Sequence, residues 1–142
     1  MPVQTARDLA ERAATALAAD SRVRLVFLFG STADPDVAEV GDVDLAVWTE
    51  SPLGARELLD LRTALVQAVG GPIDVVSLNR APIVLAREVA EHGICLHAAP
   101  PEAETEFVTR ARARYWDFKP FLEVQQRYAG ERQAARRHGP QT

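Results

Sequence analysis

Residues 23–29 form a short run that is apolar at six of its seven positions and rich in Val and Phe. Such a run, ended by the glycine at position 30, is typical of a strand that is buried within a sheet. A chain of 142 residues is long enough to build one hydrophobic core around such a strand, but too short for two ordinary domains. The run therefore predicts one domain with a central sheet that helices flank.

Periodicity and turn residues predict the remaining elements. Further strands are expected at 42–49 and 73–78, with a short fourth strand at 94–97. Helices are expected at 4–19, 54–69 and 82–91, followed by a long helical region after residues 100–101 that is interrupted near Pro120. The fold class is thus α/β, with a mixed sheet of about four strands. The domain is expected to span residues 1–130, with a flexible tail at 131–142.

Composition excludes several classes of protein. Apolar residues make up 47% of the chain, yet no apolar stretch is long enough to cross a membrane. The first residues do not resemble a signal peptide, and the single cysteine, Cys95, cannot form an intrachain disulfide, so a cytoplasmic protein is expected. Residues 1–109 carry 8 Lys and Arg against 17 Asp and Glu, whereas residues 110–142 carry 8 against 3. The acidic body predicts no direct nucleic-acid binding.

Gly30 and Ser31 follow directly on the first predicted strand. A glycine has no Cβ, so its backbone can come close to a ligand. If a helix begins at Ser31, its free N–H groups and the serine hydroxyl would suit a phosphate group. Taken alone, Gly-Ser after a strand is more often a simple turn.

Asp42 and Asp44 are two residues apart in a predicted strand, so both carboxylates point to one face while Val43, Leu45 and Val47 face the core. Two adjacent anions repel each other unless a cation lies between them, and Mg²⁺ prefers such hard oxygen ligands. An isolated Asp-x-Asp would more often be a solvated strand edge.

Asp74 favours a cation site over a solvated strand edge, because it lies between β-branched residues in another predicted strand. A carboxylate is costly to bury there unless something binds it. If the two strands are neighbours, Asp42, Asp44 and Asp74 can together hold metal ions that activate a hydroxyl and stabilise a leaving pyrophosphate. The combination predicts nucleotidyl transfer.

These residues resemble a known family. Gly30-Ser31, a ten-residue spacer, the segment Asp-Val-Asp-Leu-Ala-Val at 42–47 and then Asp74 are similar to the polymerase-β-type nucleotidyltransferase superfamily. Within it, the short chain resembles the minimal nucleotidyltransferase (MNT) proteins. Residues 115–121, Tyr-Trp-Asp-Phe-Lys-Pro-Phe, are similar to the MNT antitoxins that pair with HEPN-domain toxins.

The resemblance implies a role for each residue. Gly30 and Ser31 would bind the nucleotide triphosphate, and the aspartates at 42, 44 and 74 would bind Mg²⁺. Asp74 would also position or deprotonate the acceptor. The implied activity is transfer of AMP from ATP to a tyrosine of a HEPN-type ribonuclease toxin, which the protein thereby neutralises as an antitoxin.

Other interpretations stay open at this stage. In one alternative, the protein transfers a nucleotide to a small-molecule hydroxyl. In another, it neutralises a toxin by binding alone. Asp34 favours binding alone, because many relatives carry a basic residue at that position. The basic, aromatic segment 110–132 is expected either to contact the toxin or to complete the core, and a homodimer is a further alternative. Trp48 is expected to line a base pocket or to pack internally.

Overall fold

Helices and strands alternate along the chain in the computed structural model, which describes residues 1–137. The strands are β1 (Val23–Phe29), β2 (Val43–Thr49), β3 (Ile73–Ser77) and β4 (Ile94–Ala98). The helices are α1 (Val3–Ala18), α2 (Ala55–Val69), α3 (Ile83–His92) and α4 (Glu102–Arg137). Apart from the course of the last helix, these bounds lie within a residue or two of those expected from the sequence.

The four strands form one mixed sheet in the order β3-β2-β1-β4. Strand β1 pairs antiparallel with both β2 and β4, whereas β2 and β3 run parallel. The parallel pair requires a crossover, which α2 supplies. The predicted α/β class, with a mixed four-stranded sheet flanked by helices, is confirmed.

Each face of the sheet has its own core. Helices α1 and α2 cover the face that carries Val43, Leu45 and Val47. Helix α3 and the first part of α4 cover the opposite face, where Phe27 and Ala46 are buried. The prediction that Val43, Leu45 and Val47 face the core is confirmed. The face that carries Asp44 is also partly covered, so this carboxylate is half-buried rather than solvated.

Helix α4 has 36 residues and continues through Pro120, so the predicted interruption there is wrong. Proline removes one helical hydrogen bond, but Pro120 is exposed and water can satisfy the freed carbonyl. The helix reaches Arg137, so residues 131–137 of the expected tail are helical, and residues 138–142 lie outside the described residues. No helix within residues 1–137 is both long and apolar enough to span a membrane.

Candidate active site

The chain turns sharply where β1 ends. Gly30 has φ +72°, a left-handed backbone conformation that residues with a Cβ adopt only at a cost in free energy. A Cβ placed on Gly30 would lie 2.7 Å from Oδ2 of Asp44, closer than van der Waals contact allows. Glycine is therefore required here both for the turn and for the close approach of this backbone to the Asp44 carboxylate.

The turn after Gly30 is a four-residue 3-10 helix, Gly30–Ala33, so the condition of an α-helix beginning at Ser31 is not met. Asp34 is extended because it precedes Pro35, and a residue before proline avoids the α conformation. Arg7 of α1 holds the turn by donating from Nε to the Thr32 carbonyl oxygen at 3.2 Å. The exposed Ser31 hydroxyl and the turn's N–H groups, not an α-helix terminus, are the donors available to an anion.

Asp44 and Asp74 lie side by side in the sheet. Their strands are parallel neighbours, and the two residues are direct partners in the register. Burial, together with the nearby charges of Asp74 and Asp42, raises the pKa of the Asp44 carboxyl above its ordinary value. The expectation that β2 and β3 are neighbours is confirmed, and Asp74 therefore lies beside Asp44 in the sheet. That Asp42, Asp44 and Asp74 together hold metal ions stays a prediction.

Arg62 of α2 reaches Asp74 from the edge of the sheet. Its Nε lies 3.7 Å from Oδ1 of Asp74 and donates to the Ile73 carbonyl oxygen at 3.1 Å. Asp74 Oδ1 also accepts a hydrogen bond from the Val75 backbone N–H at 3.1 Å. These contacts restrict the orientation of Asp74. The sequence analysis missed Arg62, because its position on α2 does not show which strand end it approaches.

The five residues predicted from the sequence are brought to one end of β2. Gly30 contacts Asp44, Ser31 follows in the turn, and Asp74 is the register partner of Asp44. Asp42 lies just before β2 and is exposed, and its charge reaches Asp44. The roles assigned to these residues stay predictions, but their proximity is a property of the fold.

The donor set suits a magnesium ion that a nucleotide helps to bind. No group of three His, Cys, Asp or Glu side chains within the described residues is placed to hold a metal ion by itself. Mg²⁺, however, is usually bound by one or two carboxylates and completed by water and substrate phosphates. Asp42 and Asp44 are the candidates for such a pair, and burial, followed by the charges of Asp74 and Asp42, raises the pKa of Asp44.

A groove of about 590 Å³ adjoins the Gly30 turn. It is lined by Gly30 and Ser31 on one side and by residues near the end of α3 on the other. Its ionisable lining residues are Asp34, Glu88, Glu91 and His92. The groove next to the predicted phosphate site is therefore mainly acidic. Asp34 contributes to this charge, at the position where the family resemblance led us to expect a basic residue.

Trp48 does not belong to this site. It lies four residues farther along β2 and packs on Phe107 of α4, with ring centroids 6.2 Å apart. Phe107 also contacts Phe27 at 5.4 Å, and the Arg110 guanidinium lies 5.9 Å from the centre of the Trp48 ring. Trp48 thus packs internally, and it also lines a groove of about 320 Å³, so the second role, lining a base pocket, stays a prediction.

Solved structures with a similar fold include toxin–antitoxin complexes. A chain of the MntA–HepT toxin–antitoxin structure gives a TM-score of 0.71 at 22% identity, covering 86% of this chain and 97% of that chain. A toxin–antitoxin structure with AMP-PNP gives a TM-score of 0.74 at 21% identity, with coverages of 84% and 97%. At these identities the likeness shows a shared fold.

A third similar structure is the Shewanella oneidensis MNT antitoxin in complex with a tri-AMPylated HEPN toxin. One of its chains gives a TM-score of 0.61 at 20% identity, covering 84% of this chain and 98% of that chain. No curated protein sequence matches this chain significantly. The family model described as "Polymerase beta, Nucleotidyltransferase" matches residues 11–102, which include all five predicted site residues. The chain belongs to the polymerase-β nucleotidyltransferase family.

Proposed function

We propose that this protein is an antitoxin that transfers AMP from ATP to a tyrosine hydroxyl of a cognate HEPN-type toxin. The observation that carries the proposal is the half-buried Asp44, which lies beside Asp74 in the sheet and against the glycine turn of Gly30. Such a cluster of acids is costly unless a cation and a polyphosphate occupy it. The similar structures described above, one with AMP-PNP and one with a tri-AMPylated toxin, support ATP and a toxin as partners.

Each residue has a distinct task in this mechanism. Asp42 and Asp44 would hold Mg²⁺ together with the nucleotide phosphates, and Ser31 donates its hydroxyl hydrogen to a phosphate oxygen. When bound there, Mg²⁺ would supply positive charge to stabilise the transfer. Gly30 has no side chain, so its backbone can lie against the Asp44 carboxylate.

Asp74 is the proposed acceptor of the tyrosine proton. As this proton moves to Asp74, the tyrosine oxygen forms a bond to the α-phosphorus of ATP. The bond from the α-phosphorus to the bridging oxygen breaks, and pyrophosphate leaves with its electron pair. Arg62 and the Val75 N–H hold Asp74 in position for this step.

The distal half of α4 is the proposed docking surface for the toxin. Phe107 and Ala111 at the beginning of the helix complete the core, as one of the two interpretations of this segment expected. Farther along, large apolar side chains are exposed at Trp116 (66%), Phe121 (53%), Val124 (41%) and Tyr128 (58%). Phe121, Val124 and Tyr128 recur at helical spacing and therefore lie along one side of the helix. Exposed aromatic residues of this kind are typical anchors of protein interfaces.

Co-expression with the toxin tests both parts of the proposal. Mass spectrometry of the toxin should show added AMP with the wild-type protein and none with Asp42→Asn plus Asp44→Asn. Tyr128→Ser should reduce co-purification of the toxin, whereas Leu59→Ser, which changes an equally exposed apolar residue on α2, should not. Loss of complex in both variants would contradict the docking surface.

Neutralisation by binding alone is a second candidate, and one observation favours it. The groove beside Ser31 carries Asp34, Glu88 and Glu91, and these charges oppose a triphosphate. A tight complex whose toxin gains no mass in the presence of saturating ATP and Mg²⁺ would establish this alternative and reject AMP transfer.

A further inference from the structure

Helix α4 is joined to α3 by an ion pair close to the candidate active site. Arg112 Nε donates to Glu91 Oε1 at 2.6 Å, and a second guanidinium nitrogen lies 3.3 Å from Oε2. Arg112 thereby holds the pKa of Glu91 below its ordinary value. One turn before Glu91, the Arg87 guanidinium stacks on Tyr115 of α4, 3.9 Å from the ring centre. These two contacts fix α4 against α3.

Glu91 also lines the groove that contains Gly30 and Ser31. The same stretch of α3, with Glu88 and His92, lines a smaller groove of about 140 Å³ on the side of α4. This part of α3 therefore separates the predicted phosphate site from α4. The charge of Glu91 acts on both grooves, and Arg112 is the cation paired with Glu91.

The charge of the residues that line this groove affects nucleotide affinity, because a nucleotide triphosphate is strongly negative. Among the described residues, the groove beside Ser31 is lined by no Lys or Arg. Asp34, Glu88 and Glu91 all raise the energy of a bound phosphate chain. Compensating one of the three carboxylates is then a direct way to raise the affinity of the groove for nucleotide.

We propose that Arg112 sets the nucleotide affinity of the site by neutralising Glu91, although Arg112 itself lies on the partner-docking helix. The inference rests on the proposed nucleotidyltransferase function and adds a positioning residue to it. It links α4 to the active site: any change that removes Arg112 from Glu91 leaves an additional negative charge beside the phosphates.

Calorimetric titration with AMP-PNP and Mg²⁺ tests the proposal without any toxin. At low salt, Arg112→Gln should weaken binding about three- to tenfold, because one uncompensated charge then acts on several phosphate charges. The loss should shrink in high salt, which screens partly exposed charges. Arg114→Gln is the matched control, since Arg114 is exposed, lies on the same helix and has no ion pair within the described residues.

A double substitution separates charge from structure. In the Glu91→Gln background, Arg112→Gln should have little further effect on affinity, because no carboxylate is left to compensate. If Arg112→Gln weakens binding equally with and without Glu91, or no more than Arg114→Gln does, the inference is wrong. If the wild-type protein itself does not bind AMP-PNP, the proposed function fails as well, so the two failures are distinguishable. Thermal unfolding of each variant checks that the fold is retained.

Discussion

Gly30 and Gly70 provide a matched test of how the active site is built. Both have φ +72°, so a Cβ at either position meets the same left-handed backbone conformation. At Gly70, which ends α2, nothing lies within 4 Å of the added Cβ. At Gly30, the added Cβ would lie 2.7 Å from Asp44 Oδ2. The two substitutions to alanine therefore differ only in the contact with the carboxylate.

The expected losses can be estimated for each property. The left-handed conformation costs an alanine about 1–2 kcal/mol, so both variants should lose about this free energy of unfolding. Such a loss lowers the melting temperature by about 2–8 °C in a domain of this size. The atom that the new methyl group meets is the end of a side chain, so Asp44 can rotate away at little further cost to stability.

Activity should separate the two variants. A rotated Asp44 no longer directs its oxygens at the metal and phosphates, and a displacement of about 1 Å at a reacting centre costs on the order of 100-fold in rate. Gly30→Ala should lose AMP transfer and Mg²⁺-dependent nucleotide binding, whereas Gly70→Ala should keep both. Urea unfolding and transfer rates measure these quantities. Equal activity in the two variants would refute the argument that Gly30 leaves space for the Asp44 carboxylate.

Three other substitutions test the remaining assignments. Because the folded-state pKa of Asp44 lies above 3.8, the folded protein retains a proton that the unfolded chain has lost, and stability falls as pH rises through this window. Asp44→Asn should therefore stabilise the metal-free protein at neutral pH and remove the loss of stability that begins as pH rises above about 4, as followed by urea unfolding. Ser31→Ala should weaken nucleotide binding by about 1.5–3 kcal/mol in calorimetry without unfolding the protein. Asp74→Asn should bind nucleotide normally and transfer no AMP, and wild-type rates in that variant would exclude Asp74 as the proton acceptor.

The parts of the fold that the sequence predicted well are those with strong local patterns. The run at 23–29 is almost wholly apolar, and Val43, Leu45 and Val47 recur at every second position, so strand positions follow directly from the residues. The pairing of Asp44 with Asp74 depended on one further condition, that β2 and β3 are neighbours, and the parallel register fulfils it. Whether a helix begins at Ser31 was left open by the sequence, and the structure has a single 3-10 turn there, followed by Asp34 in the extended conformation that precedes Pro35.

The contacts that sequence reasoning missed all join distant parts of the chain. Arg62 meets Asp74 from α2, and Arg112 meets Glu91 across 21 positions. Neither pair has a local spacing that distinguishes it from an arginine on a solvated helix face. Pro120 was expected to interrupt α4, but it is exposed, so water can satisfy the carbonyl that it frees, and the helix continues.

The charges around the site explain why we expect magnesium, rather than Lys or Arg side chains, to neutralise the phosphates of a bound nucleotide. The groove beside Ser31 is lined by three carboxylates and, within the described residues, by no Lys or Arg. A hydroxyl and the backbone N–H groups of one short turn can orient a phosphate, but they do not neutralise it. In the proposed mechanism, neutralisation would then come with the nucleotide, as an ion that Asp42 and Asp44 would share with its phosphates. Nucleotide binding would therefore depend steeply on the metal, and Arg112, through its proposed effect on Glu91, would adjust the charge that remains.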